Sequence, residues 1–145
     1  MTGPDSMLDG SRPHDALIAE AAGALRPHRV GDRLFGDVAC VLVSGSGQHF
    51  HGVCIDTGSG TGFCAEHAAI AAMVTAGEYS IASIVAVLRQ EESGQLSVLP
   101  PCGRCREFIR QIDPGNIGTQ VILGRAEARP LGDLLPRWEW PEPLT

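Results

Sequence analysis

The sequence predicts a three-layer α/β sandwich, on three observations. Helical and strand-like apolar patterns alternate along the chain. A Gly-rich turn separates two early strand-like runs. Two cysteine-bearing segments, one led by glycine and one by proline, each open a helix-like stretch.

The elements follow in order. Asp15 to Leu25 places Leu17, Ile18, Ala21, Ala22 and Leu25 at helical spacing and runs into Arg26-Pro27, where proline blocks continuation. Asp37–Val43 and Gln48–Ile55 are rich in Val, Ile and Phe and flank Ser44-Gly45-Ser46-Gly47, a β-hairpin signature. Asp56 to Gly62 is Gly-rich and reads as a loop. Cys64 to Ala76, almost all Ala, Ile, Met and Glu, reads as a buried helix stopped by Gly77. Ser80–Leu88 is nearly continuous in apolar residues, as a central strand is, and Glu91–Gln95 is turn-like. Arg104–Ile112 reads as a helix entered from Pro100-Pro101-Cys102-Gly103, and Thr119–Leu123 as a further strand. The segment Leu131–Trp140 holds both tryptophans and is expected to pack on the body or on a partner subunit.

A chain of 145 residues fits one domain. Residues 1–13, rich in Gly, Pro, Ser and Asp, are expected to be a flexible tail, with a single domain over 14–145. Met1–Pro13 has no basic stretch followed by an apolar one, so a secretory signal is not expected. No apolar run reaches the roughly 18–20 residues that a membrane span needs. The net charge of −6 comes without a basic stripe, which argues against nucleic acid and for a small-molecule substrate. Five cysteines, an odd count, argue against a disulfide framework and for the cytoplasm. Buried thiols, metal ligands or a nucleophile are the alternatives.

Placement decides among them. Cys64-Ala65-Glu66 and Pro101-Cys102-Gly103-Arg104-Cys105 both fall at helix starts. A helix N-terminus carries partial positive charge and free amide donors, which favour the thiolate, and thiolates bind zinc. Cys102 and Cys105 share a face on a first helical turn. Cys64 can meet them only through the fold. Three thiolates leave the fourth tetrahedral position open, as catalytic zinc sites do for water. Glu66 lies one step round the same helix start, placed to take a proton from that water and deliver one to a leaving amine. Cys/His-x-Glu followed by Pro-Cys-x-x-Cys is the pattern of zinc deaminases.

Gly62-Phe63-Cys64-Ala65-Glu66-His67-Ala68-Ala69 and Pro101-Cys102-Gly103-Arg104-Cys105-Arg106-Glu107 resemble the cytidine deaminase superfamily, in its small homotetrameric branch that includes cytidine deaminase and blasticidin S deaminase. The likeness runs from about Asp37 to about Trp140, and Leu134-Leu135-Pro136 with Trp138 is similar to the blasticidin S deaminase C-terminus. The resemblance implies a mixed five-stranded sheet flanked by helices, one Zn2+ per subunit, water as co-substrate, ammonia as product and a homotetramer. It implies hydrolytic deamination of a free cytosine nucleoside or related aminopyrimidine. A blasticidin S-type antibiotic deaminase and a non-catalytic zinc-binding module are the alternatives. By the same resemblance Cys54, Asp56, Ala65 and Pro101 would contact substrate, and His67, Arg104 and Arg106 would surround the thiolates. The chain departs from the family at several points: the aromatic residue that usually precedes the first strand falls near Gly36, His67 stands where Arg is frequent, and cytidine deaminases carry an Asn-x-Glu that holds the ribose, whose matching positions are Cys54 and Asp56. An amide's two-way hydrogen bonding is lost there, and Asp is shorter than Glu.

Other features have plainer readings. Cys40 is expected to be a buried apolar residue, and His49 and His51 share one face of a strand. Thr57–Gly62 lacks the Lys-Ser/Thr that completes a phosphate-binding loop.

Overall fold

Successive side chains on a strand point to opposite faces, and here that alternation sorts the core into two layers. In the computed structural model, which describes residues 7–144, the chain runs α1 (Asp15–Ala24), β1 (His28–Val30), β2 (Arg33–Phe35), β3 (Val38–Ser44), β4 (His49–Val53), α2 (Ala65–Thr75), β5 (Ile81–Arg89), β6 (Leu96–Leu99), α3 (Gly103–Ile112), β7 (Gln120–Ile122) and β8 (Ala128–Pro130). Ala39 and Val41 of β3, with Val85 and Val87 of β5, pack under Ile18, Ala21, Ala22 and Leu25 at α1. The alternate residues, Cys40, Leu42, Ile84 and Ala86, pack against Ala65, Ala69, Ile70 and Met73 of α2 and Ile109 of α3. Helices therefore cover both faces of one mixed sheet: a three-layer α/β/α sandwich.

Five strands follow one path, β4-β3-β5-β7-β8, and β6 branches from β5. β5 is long enough to use one edge twice. Ser83 and Ile84 pair in parallel with Gln120 and Val121 of β7. Ala86 to Arg89 pair antiparallel with Leu99 to Leu96 of β6. At the fork the chain leaves β6 at Leu99 and turns through Pro100-Pro101 into α3.

Two close approaches fix α2. A Cβ on Gly52 of β4 would lie 2.3 Å from the Ala69 nitrogen and 2.6 Å from Ala68 Cβ, so the helix sits directly on the strand backbone. At the other end Gly77 takes φ +85°, and the Glu78 amide closes back on the Met73 carbonyl at 3.1 Å, the left-handed stop its position predicts.

Several elements are additions to the sequence reading. β1 and β2 form a separate two-stranded hairpin, and β6 and β8 are short edge strands. Buried Asn116 joins three segments: its amide group donates to the Tyr79 and Ile109 carbonyls, and its side-chain oxygen accepts from the Ile81 amide at 2.8 Å. Residues 1–6 of the expected tail lie outside the described residues. From Asp9 onward the chain is held: Arg125 reaches both oxygens of the Asp15 carboxylate at 2.8 Å, and the amides of Gly10 and Arg12 donate to the same group. Trp138 lies under the Arg110 guanidinium of α3, 5.1 Å from its ring centroid, whereas Trp140 is exposed. Among the described residues, no helix is long and apolar enough to cross a membrane.

Candidate active site

Two helix starts build the site. Cys64 is the N-cap of α2 and Cys102 the N-cap of α3, both in extended backbone, and neither side chain caps its own helix. Their sulfurs are free to meet. Cys64 Sγ lies 3.6 Å from Cys102 Sγ, and Cys102 Sγ lies 3.5 Å from Cys105 Sγ in the first turn of α3. All three sulfurs fall within 4.8 Å of one another.

This donor set fits zinc. Tetrahedral ligation at the usual Zn–S length of about 2.3 Å spaces sulfurs about 3.8 Å apart. Burial opposes charge on Cys102, but the amides of Cys105 and Arg104 donate to its sulfur, and the thiol stands below its ordinary range. Burial holds Cys64 and Cys105 above theirs; the nearby Glu66 charge adds to this. A cation is the group that would let three such sulfurs ionise together.

Glu66, in the first turn of α2, is buried, and burial raises it above the ordinary carboxylate range. It opens onto a cavity of about 460 Å³ that Cys64, Cys102 and Ala65 also line. The loop between β4 and α2 shapes this space. Ile55 and Phe63 exchange both backbone hydrogen bonds at 3.0 Å, pinching the loop at its base and bringing Cys54 and Cys64 to one cavity. Gly62 is required there, since a Cβ would lie 2.5 Å from the Ile55 carbonyl oxygen. Arg104 donates to the Gly62 carbonyl at 3.2 Å and Arg33 to the Asp56 carbonyl at 3.2 Å, clasping the loop at both ends.

Cys54 and Asp56 line the same cavity, with Asp37 beside them. Cys54 Sγ lies 3.3 Å from Asp37 Oδ1 and 3.7 Å from Asp56 Oδ2. Burial first, then the two carboxylates, push the Cys54 thiol up to about 11. Asp37 is absent from the sequence reading of the site. Strand register would have found it, because the Cys54 amide bonds the Val38 carbonyl across the hairpin. Pro101 does not line this cavity, whereas its neighbour Pro100 does. The Pro101 carbonyl instead accepts from Arg106 Nε at 2.7 Å, and Arg106 also reaches the Leu134 carbonyl, tying the loop before α3 to the C-terminal segment. His67 Nδ1 lies 3.4 Å from Cys105 Sγ.

Residues 14–120 match the model of the family described as the cytidine and deoxycytidylate deaminase zinc-binding region. The chain belongs to this family. It is a zinc-dependent hydrolytic deaminase acting on a C–N bond of cytidine-like substrates. Among solved structures, the cytidine deaminase from Burkholderia pseudomallei is 30% identical, with a TM-score of 0.68 over 86% of this chain and 97% of that one. The cytidine deaminase from Mycobacterium tuberculosis is 29% identical, with a TM-score of 0.61 over 83% of this chain and 89% of that one. The Bacillus anthracis cytidine deaminase, at 21% identity and a TM-score of 0.63 over 94% of this chain and 89% of that one, shares the fold. No curated protein is significantly similar in sequence. In this deaminase, Cys54 and Asp56 stand where the family resemblance leads one to expect Asn and Glu, so a thiol replaces the amide and a shorter carboxylate is kept.

Proposed function

We propose that this deaminase removes the exocyclic amine of a free cytosine nucleoside or a closely related aminopyrimidine, with Cys64, Cys102 and Cys105 as the zinc ligands and Glu66 as the proton carrier. The observation that carries the reading is one cavity bordered by two of the sulfurs and by a buried carboxylate at the second residue of α2. A zinc ion held by Cys64, Cys102 and Cys105 would acidify a water molecule and so supply the nucleophile at neutral pH. Glu66 takes a proton from the attacking water on a carboxylate oxygen, passes it to the ring nitrogen next to the reacting carbon, then carries the second proton to the departing amine. Water is added, ammonia leaves and a ring carbonyl remains, so the carboxylate ends as it began. A carboxyl group raised by burial suits this shuttle, since it holds and releases protons closer to neutrality.

An unphosphorylated substrate agrees with the lining: among the described residues, no Arg or His borders the cavity. Reduced thiols are needed for ligation, which suits the cytoplasm, and all five cysteines are free. The expected homotetramer belongs to this reading too, since Val30 and Trp140 leave apolar surface that association would cover; light scattering on the zinc-loaded chain measures it.

The test is ammonia release from cytidine and deoxycytidine by the protein and by Glu66→Gln. Activity is expected to fall by roughly 10²–10⁴ in the variant while zinc content is unchanged. Full activity in Glu66→Gln, or no turnover of any aminopyrimidine by the zinc-loaded protein, overturns the reading.

A further inference from the structure

Phe63 is an aromatic side chain that the core does not use. Large apolar side chains left facing water mark surfaces that something else covers. Among the described residues, Phe63 joins neither apolar layer of the core and is 37% exposed. It borders the substrate cavity, and among the described residues there it is the sole aromatic one. Glu66 lies buried on the same cavity, so the space runs from the carboxylate at its floor to the Phe63 ring at its rim.

The ring is also held. Residue 63 cannot drift with the loop, because its amide and its carbonyl both bond Ile55 at 3.0 Å. One side of the ring meets the His67 imidazole, with 6.5 Å between centroids and 34° between planes. His67 is itself stacked on Phe108. A side chain fixed in this way has little freedom left to lose when a ligand covers it.

A flat pyrimidine ring presents a π face, and an aromatic side chain stacked on it removes apolar surface of both from water. The other apolar residues on the wall, Val38, Leu99 and Pro100, have no π face to offer.

We infer that Phe63 binds substrate by stacking on the face of the pyrimidine ring and so selects a flat, unsaturated ring. This deepens the proposed function and rests on its assignment of the cavity to the substrate.

The test uses the zinc-loaded full chain and calorimetric binding of uridine and of 5,6-dihydrouridine, whose ring is puckered; neither needs turnover. Uridine affinity is expected to fall roughly tenfold in Phe63→Ala and in Phe63→Met, which keeps most of the volume without a π face, and to survive in Phe63→Tyr. Dihydrouridine affinity is expected to change little in any of them. The KM for cytidine is expected to follow the uridine losses, with kcat changed less. Zinc affinity in a chelator competition is expected to hold in every variant, since residue 63 supports Cys64 through its backbone. Undiminished uridine affinity in Phe63→Ala, an equal loss in Phe63→Tyr, an equal loss for dihydrouridine, or a loss that tracks zinc affinity overturns the inference. Cytidine turnover separates the two failures: intact turnover with undiminished uridine binding in Phe63→Ala defeats this inference alone, and absent turnover of every aminopyrimidine by the zinc-loaded protein defeats the proposed function.

Discussion

The imidazole of His67 lies flat on the ring of Phe108, with centroids 4.2 Å apart and planes 2° from parallel. The stack joins α2 to α3 and aims Nδ1 at the Cys105 sulfur, 3.4 Å away. Burial, with the Arg104 charge, lowers the His67 pKa and favours the neutral ring, so a proton on Nδ1 can be donated to a thiolate. Partners of this kind orient metal ligands and spread their charge. His67→Ala is expected to weaken zinc affinity by roughly 10–100-fold in a chelator competition. Phe108→Leu is expected to act in the same direction by freeing the ring. Unchanged zinc affinity in His67→Ala would assign the residue to helix packing alone.

Gly52 tests how firmly α2 is placed. A Cβ there would meet backbone and a short side chain of α2, neither of which can swing aside. Gly52→Ala is expected to push the helix away at a cost of about 1–3 kcal/mol in urea unfolding. Because α2 carries Cys64 at its cap and Glu66 in its first turn, zinc affinity and turnover are expected to fall beyond what stability explains. Gly47→Ala is the control, since its Cβ would meet nothing and only its φ of +90° is strained.

What was legible in the sequence divides along physical lines. The central hairpin, β5 and the helices were readable because their patterns run long enough to show a period. Cys64 and Cys102 at helix starts follow from the Gly and Pro residues around them. β1, β2 and β8 are three-residue strands, too short for any alternation, and β1 is exposed throughout. Backbone hydrogen bonds to the neighbouring strand hold them, His28–Val30 to Arg33–Phe35 and Ala128–Pro130 to Gln120–Ile122, and backbone bonds leave little trace in composition. The same applies at the site. Arg104 and Arg106 are expected around the thiolates, and no motif announces that their guanidinium groups bind the backbone carbonyls of Gly62, Pro101 and Leu134. Asp37 became visible only through strand register.

Zinc uptake is expected to expel protons. Burial keeps the Cys64 and Cys105 thiols protonated in the zinc-free protein, and thiolates bind the metal. Protons therefore compete with zinc, and affinity falls as pH falls, by roughly tenfold per pH unit for each proton released. Calorimetry of zinc binding in buffers of different ionisation enthalpy measures the release. A binding enthalpy independent of the buffer would mean that the sulfurs are already ionised.

The acid limb of stability is expected to trace to Asp15. The residue is 1% exposed, sits at the first position of α1 and receives Arg125 from the far end of the chain. The hydrogen bond from Arg125 is the largest influence, and it outweighs burial to draw the carboxyl from 3.8 down to about 2. A carboxyl group lowered on folding stabilises the folded state above its unfolded pKa and loses that contribution as pH falls through the folded value. Urea midpoints should therefore drop between about pH 4 and about pH 2 in the native protein. Asp15→Asn should be less stable near neutrality and show a shallower fall over the same range. Glu107 is drawn down to about 2 by Arg110, but that pair sits on the surface of α3, where solvent screens it. Glu107→Gln should leave the acid limb nearly unchanged. Equal flattening by both variants would show that the clasp around Asp15 adds nothing beyond an ordinary surface pair.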